Sequence, residues 1–144
     1  MHPAELKQRR IEEVRKWFIG NGQDQKDELG DQSEVIFEAK TRYLIEHHML
    51  KWAHGISRAT AADDLLKKID FRIRATVRNN DWSIAEFSIP IQVKSSPKSA
   101  EQFIVENGKD VHVVVAYPSL KLRDLKNTLF IIYRKETRRL QLTQ

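Results

Sequence analysis

Two alternating runs on either side of a turn signal constrain the fold of this chain most. In DFRIRATVR, residues 70–78, every second residue from Phe71 is apolar, and in SIPIQVK, residues 88–94, every second residue from Ile89 is apolar. A period of two is the pattern of a strand with one buried face. The intervening NND, residues 79–81, is typical of a turn. The sequence therefore predicts a β-hairpin over residues 70–94.

Helical patterns precede the hairpin. An amphipathic helix is predicted over residues 1–20, and GNG at residues 20–22 ends it. A polar loop separates it from a second predicted helix, EVIFEAKTRYLIEHHMLKWA at residues 34–53, with Ser33 as its N-cap. The second helix carries more apolar residues than the first, which indicates packing on more than one side.

The segments after the hairpin alternate between helix and strand. AEQFIVENG predicts a short helix that stops at Gly108. DVHVVVAY at residues 110–117 predicts a strand covered on both faces, and LFIIYRKE at residues 129–136 predicts a last strand. SLKLRDLKNT between them fits a short helix or an irregular link. This order predicts one α/β domain with a core over residues 30–135 and a central mixed sheet of about four strands flanked by helices.

The composition bounds the function. The chain has 144 residues, of which 40% are hydrophobic and 31% charged, as in a globular protein of one domain. It has no cysteine, which excludes disulfides and thiolate metal sites. No apolar run reaches the roughly 20 residues that span a bilayer, and the charged N-terminus lacks the apolar core of a signal peptide. We therefore expect a cytoplasmic protein without a membrane partner, and the net charge of +5 suits a polyanion.

Polar residues gather around the hairpin. Gln92 and Lys94 are two residues apart and so project from one face of the second strand. Asp70 opens the first strand, and Glu34 and Glu38 are one helical turn apart on the preceding helix. Two carboxylates, a carboxamide oxygen and an ammonium are what phosphodiester hydrolysis with a hard divalent cation requires.

The segments GDQSE, KKIDFRI and IPIQVKSS, in this order, resemble the PD-(D/E)XK nuclease superfamily, which includes restriction endonucleases and Holliday-junction resolvases. The resemblance implies a restriction endonuclease-like three-layer core. It also implies an endonuclease that hydrolyses phosphodiester bonds in DNA with Mg²⁺, for which Mn²⁺ substitutes. Isoleucine stands where the motif name has proline, a common departure in the family.

Carried over by position, the resemblance implies that the catalytic residues are Glu34, Asp70, Gln92 and Lys94. Asp70, Gln92 and Glu34 would hold the metal ion, with Glu38 as the alternative to Glu34, and Lys94 would position the attacking water. Glutamine at position 92 replaces an acid of the motif, which removes one negative charge and lowers the expected affinity for metal.

The basic residues leave two interpretations open. DNA contacts are predicted at five positions: Arg72, Arg74, Lys98, Lys121 and Arg123. The same side chains are equally compatible with a solvated surface. An alternative to the nuclease is a catalytically inactive nucleic-acid-binding or assembly module that retains the fold. Cutting both strands of DNA with one small site per chain calls for two copies, so a homodimer is the corresponding expectation.

Overall fold

A computed structural model describes residues 29–62, 67–108 and 110–142; the helix predicted over residues 1–20 lies outside them. The described elements, in chain order, are α1 (Leu29–Glu46), β1 (Ala53–Arg58), β2 (Phe71–Arg78), β3 (Ile84–Lys94), α2 (Pro97–Asn107), β4 (His112–Val115) and α3 (Leu122–Leu142). The strands form one mixed sheet in the order β1-β2-β3-β4, flanked by the three helices. The predicted α/β class and the number of strands are confirmed.

The predicted hairpin is the centre of the sheet. β2 and β3 are antiparallel, with Phe71 opposite Ile91 and Arg78 opposite Ile84. β4 runs parallel to β3, which requires the crossover that α2 supplies. β4 pairs with residues 91–94 of β3, so within the described part of the chain residues 84–90 have a neighbouring strand on the β2 side alone.

The helices cover the two faces of the sheet differently. Phe37 of α1 and Leu129 of α3 belong to one buried cluster with Ile73 and Ile91, so α1 and α3 cover the face of the sheet from which these isoleucines project. The rings of Phe37 and Phe71 lie 5.3 Å apart. α2 lies on the opposite face, since the Lys94 ammonium, on the strand side opposite Val93, is 5.1 Å from the centre of the Phe103 ring. The domain therefore has three layers, with the larger core under α1 and α3.

The second predicted helix was wrong at both ends. Ser33 lies inside α1 and is not its N-cap. The helix stops at Glu46, where His48 adopts φ 56°, its amide donates to the Ile45 carbonyl at 3.1 Å, and the Met49 amide donates to the Leu44 carbonyl at 2.9 Å. This pair of bonds is a Schellman motif in which histidine takes the place usually given to glycine. The chain then turns into β1, a strand that the sequence pattern did not predict.

The predicted last strand, residues 129–136, was also wrong because this segment belongs to α3. Leu125, Leu129 and Ile132 are buried at a helical spacing, while Phe130 and Ile131 within the apolar run are about half exposed. A short apolar run does not distinguish a strand from a helix by itself. The buried residues Leu125, Leu129 and Ile132 are separated by four and three positions, which is the spacing of one face of a helix.

The other two predicted elements are present with shifted bounds. α2 starts at Pro97, earlier than predicted, because the Ser96 hydroxyl accepts from the Ser99 amide and Ser99 returns a bond in a capping box. It stops at Gly108 as predicted. β4 is an edge strand of four residues in which Val114 is buried and its neighbours are half-buried, so the predicted cover on both faces is incomplete.

Candidate active site

The predicted site residues lie at one end of the sheet. Asp70 immediately precedes β2, and Gln92 and Lys94 are among the last residues of the antiparallel neighbour β3. The N-terminal half of α1, which carries Glu34, reaches the same end, since Phe37 packs on Phe71. The strand pairing thus brings Asp70 beside Gln92 and Lys94, whereas Glu34 belongs to the helix that covers the face of the sheet opposite Gln92 and Lys94.

Asp70 is fixed by the backbone of β3. Its side chain is buried, its amide donates to the Ile91 carbonyl at 2.8 Å, and its Oδ2 accepts from the Val93 amide at 2.9 Å. The carboxylate therefore takes the place of a backbone carbonyl at the point where β2 begins. A buried amide without this acceptor would cost about 1–3 kcal/mol. The bond holds the Asp70 carboxylate beside the Gln92–Lys94 segment.

Gln92 and Lys94 lie on the sheet face opposite Ile91 and Val93, which are buried under α1 and α3. The Lys94 ammonium is held over the Phe103 ring of α2, a cation–π contact. Gln92 Oε1 is buried, and no donor among the described residues hydrogen-bonds to it. A buried carboxamide oxygen in this state favours binding of a cation or a donor from a ligand, because desolvation without a partner is costly.

The two glutamates of α1 have different surroundings. Both are buried, but Glu38 Oε1 lies 2.9 Å from the Arg58 guanidinium and its Oε2 lies 3.5 Å from that of Arg42. Arg58 also lies 5.1 Å from the centre of the Phe71 ring. Glu38 therefore connects α1 to β1 and to the start of β2. Glu34, one turn nearer the start of α1, is 5% exposed.

The donor set can be compared with the needs of a metal ion. The four predicted residues offer two carboxylates and a carboxamide, and oxygen donors of this kind suit Mg²⁺. The buried Gln92 Oε1 fits the same purpose, since it carries a lone pair that no described donor uses. In the described ranges no group of three or more histidine, aspartate or glutamate side chains could hold a metal ion. The predicted set is not covered by this finding, because it combines two carboxylates with a glutamine.

The predicted DNA contacts are divided among three elements. Arg72 and Arg74 lie on β2, on the face opposite the larger core, where the Arg74 guanidinium donates to the His54 carbonyl at 3.3 Å. Lys98 is exposed in the first turn of α2. Lys121 and Arg123 are exposed at the start of α3. Lys98 and Lys121 follow the C-terminal ends of two parallel strands, so they lie at the same end of the sheet as Lys94.

Two polar contacts near the site had no signal in the sequence. Arg58, the partner of Glu38, lies on the unpredicted strand β1. The His112 ring on β4 lies 2.6 Å from Glu136 of α3 through its Nε2, and both side chains are largely buried. The contact between His112 and Glu136 can be predicted from the sequence only if α3 is recognised as a helix. In a helix, Glu136 lies on the same buried face as Leu129 and Ile132.

Comparisons with known proteins add no assignment: no protein-family model, curated protein or solved structure matches this chain. None of the helices in the described ranges is long and apolar enough to cross a membrane.

Proposed function

We propose that this chain is a metal-dependent endonuclease that hydrolyses phosphodiester bonds in DNA, with its site at Asp70, Gln92, Lys94 and Glu34. The observation that carries the proposal is the bond from the Val93 amide to the buried Asp70 carboxylate, which fixes an acid beside Gln92 and Lys94. The order of α1, three antiparallel strands, α2 and a parallel fourth strand supports it as the setting of these residues.

Each residue has a distinct part in this proposal. Asp70, Gln92 and Glu34 would hold Mg²⁺ or Mn²⁺, and a bound divalent cation supplies a more acidic water and neutralises charge that develops on the phosphate. The Lys94 ammonium, which lies over the Phe103 ring, orients the water and stabilises negative charge on the phosphate oxygens. Glu38 remains the alternative to Glu34, although its contacts with Arg58 and Arg42 support a role in packing.

Cleavage of supercoiled plasmid in Mg²⁺ or Mn²⁺, compared with EDTA, tests this function. We expect Lys94→Ala to lower the cleavage rate by about 10²–10³-fold, since it removes one charge-stabilising group. Lys51→Ala is the matched control, because Lys51 is exposed and precedes β1 at the other end of the sheet. Equal rates for the folded Lys94→Ala and Lys51→Ala proteins would reject the assignment of Lys94.

A second candidate is a nucleic-acid-binding or assembly module that retains the fold without the chemistry. Glutamine in place of an acid at position 92 favours it, since a neutral ligand binds a divalent cation less strongly. A gel shift with DNA in EDTA, together with no cleavage in either metal, is the result that supports this candidate. Cleavage of both strands by the nuclease would need a homodimer, which sedimentation in the presence of DNA tests.

A further inference from the structure

A cavity of about 710 Å³ adjoins the candidate site. Its walls are the segment 67–69 that leads into Asp70, the part of β3 that β4 does not cover, and the C-terminal turns of α3. Arg72 and Pro90 line it from the sheet face that also carries Gln92. The volume lies within the range of about 300–1,000 Å³ that is typical of sites for small molecules.

The charge of the cavity is positive. Its lining includes four cationic side chains, Lys67, Lys68, Arg72 and Arg139, and two carboxylates, Asp110 and Glu136. The Glu136 carboxylate is already engaged by the His112 ring at 2.6 Å and lies 3.8 Å from the Arg139 guanidinium. With four cationic side chains and two carboxylates the lining carries a net positive charge, which favours an anionic ligand.

The cavity also has apolar walls, which a ligand consisting of phosphate alone would not need. Ile69 and Pro90 line it on one side and Val111 on another. A ligand that matches both kinds of wall combines a phosphate with a ring system of low polarity. A nucleotide has this combination, because its base presents an apolar face and its phosphate accepts bonds from lysine and arginine.

Lys68 has an unusual backbone conformation for a lysine. It adopts φ 58°, a left-handed conformation that costs a residue other than glycine about 1–2 kcal/mol. Lys68 lines the cavity and lies two residues before Asp70. Lys68 thus places a cationic side chain in the lining at a position whose backbone conformation glycine adopts more readily.

We propose that this cavity binds one nucleotide unit, with its phosphate against Lys68 and Arg139 and its sugar and base against the side formed by Pro90. The unit would be the neighbour of the phosphate that a metal ion at Asp70 would bind, and in this respect the inference rests on the proposed function. The ligand chemistry is the same for a free nucleotide and for a nucleotide within a single strand.

Binding without metal tests the cavity directly. Fluorescence anisotropy in EDTA would measure the affinity for a labelled single-stranded oligonucleotide of about ten residues. We expect the Lys68→Gly/Arg139→Gln protein to bind at least about tenfold more weakly, and the slope of log affinity against log salt to fall by about 0.7 for each phosphate that the variant no longer neutralises. The Lys135→Gln/Arg138→Gln protein is the matched control, since it removes two charges from the exposed surface of α3 outside the cavity lining.

The outcomes separate the cavity from the nuclease. Competition by a free mononucleotide supports the cavity as a site for unattached nucleotides, and binding of the oligonucleotide alone supports a site for a strand. Equal affinities of the lining variant and the control would overturn the cavity inference even if plasmid is cleaved. Absence of cleavage, with binding that still depends on Lys68 and Arg139, would overturn the nuclease and retain the cavity.

Discussion

The two ends of the β2–β3 hairpin differ in what they expose. At the turn, Trp82 is 76% exposed and Ile84 is 63% exposed. At the open end, Asp70 is 5% exposed and Ile91 is fully buried. Each end has one residue in the left-handed conformation, Trp82 at the turn and Lys68 before Asp70.

The turn is held by contacts that are local in sequence. The Asn79 amide donates to the Ser83 carbonyl at 2.8 Å, and the Asp81 carboxylate accepts from the amide and the hydroxyl of Ser83. The open end instead uses a buried carboxylate to satisfy a backbone amide of another strand. A hairpin needs its turn in order to form, but it does not need a buried carboxyl group at its open end, and this difference supports the role proposed for Asp70.

The largest expected difference is between two isoleucines of β3. Ile91→Ala should lower the free energy of unfolding by about 2–5 kcal/mol, since it opens a cavity in the core. Ile84→Ala should change it by less than about 0.5 kcal/mol, because Ile84 is mostly in solvent. Urea denaturation of the two variants measures both values. Similar decreases would show that the turn carries as much of the stability as the open end.

The next effect concerns Asp70. Asp70→Ala should lower the free energy of unfolding by about 1–3 kcal/mol, because the Val93 amide loses its acceptor. Asp70→Asn keeps an acceptor oxygen and should be destabilised less, while neither variant should cleave. Chemical denaturation and the plasmid assay give the two readouts. An Asp70→Asn protein that cleaves at the wild-type rate would remove Asp70 from the site.

Gln92→Glu should tighten Mn²⁺ binding by about tenfold, since a charged oxygen replaces a neutral one at nearly the same reach. Calorimetric titration of the purified protein measures the affinity, and Glu86→Gln, on the exposed half of β3, is a control for general charge effects. Unchanged affinity in the Gln92→Glu protein would move the metal away from β3.

The smallest effect is a pH dependence at the turn. The hydroxyl and the amide of Ser83 hold the pKa of Asp81 below its ordinary value of 3.8. The folded turn therefore favours the charged form of Asp81. The stabilisation that the charged form gives to the folded state is present above pH 3.8 and is lost as the pH falls through the lower pKa of the folded state. Between pH 5 and about pH 3 the wild type should lose slightly more stability than Asp81→Asn. Thermal denaturation at both pH values compares them, and a larger decrease in the variant would contradict the assignment.

The sequence predicted what depends on local pattern. The hairpin and the stop of α2 at Gly108 follow from alternation and from a residue with known turn chemistry. The end of α1 could not be predicted, because His48 occupies a position where glycine is the usual signal. The strand β1 was missed for the same reason, since the apolar residues after His48 extended the helical pattern.

The part of the candidate site that could be predicted is the part in which the spacing of residues along a strand determines the sheet face that they share. The two-residue separation of Gln92 and Lys94 placed both on one side of β3, as the structure has them. The contacts of Glu38 with Arg58, and the bond of Asp70 to the Val93 amide, depend on pairing between elements distant in sequence. No local pattern carries that information, and the cavity beside the site depends on α3 passing close to β3.

The partial pairing of β3 has a consequence for self-association. The Lys94 carbonyl accepts from the Ala116 amide on the β4 side, and backbone groups alternate in direction along a strand, so the nitrogen of Pro90 points to that side as well. Proline has no hydrogen to donate there. A strand from another molecule that paired with β3 next to β4 would lack a hydrogen bond at its first position, Pro90. Pro90 therefore protects against edge-to-edge aggregation along the part of β3 that has no partner strand on this side among the described residues.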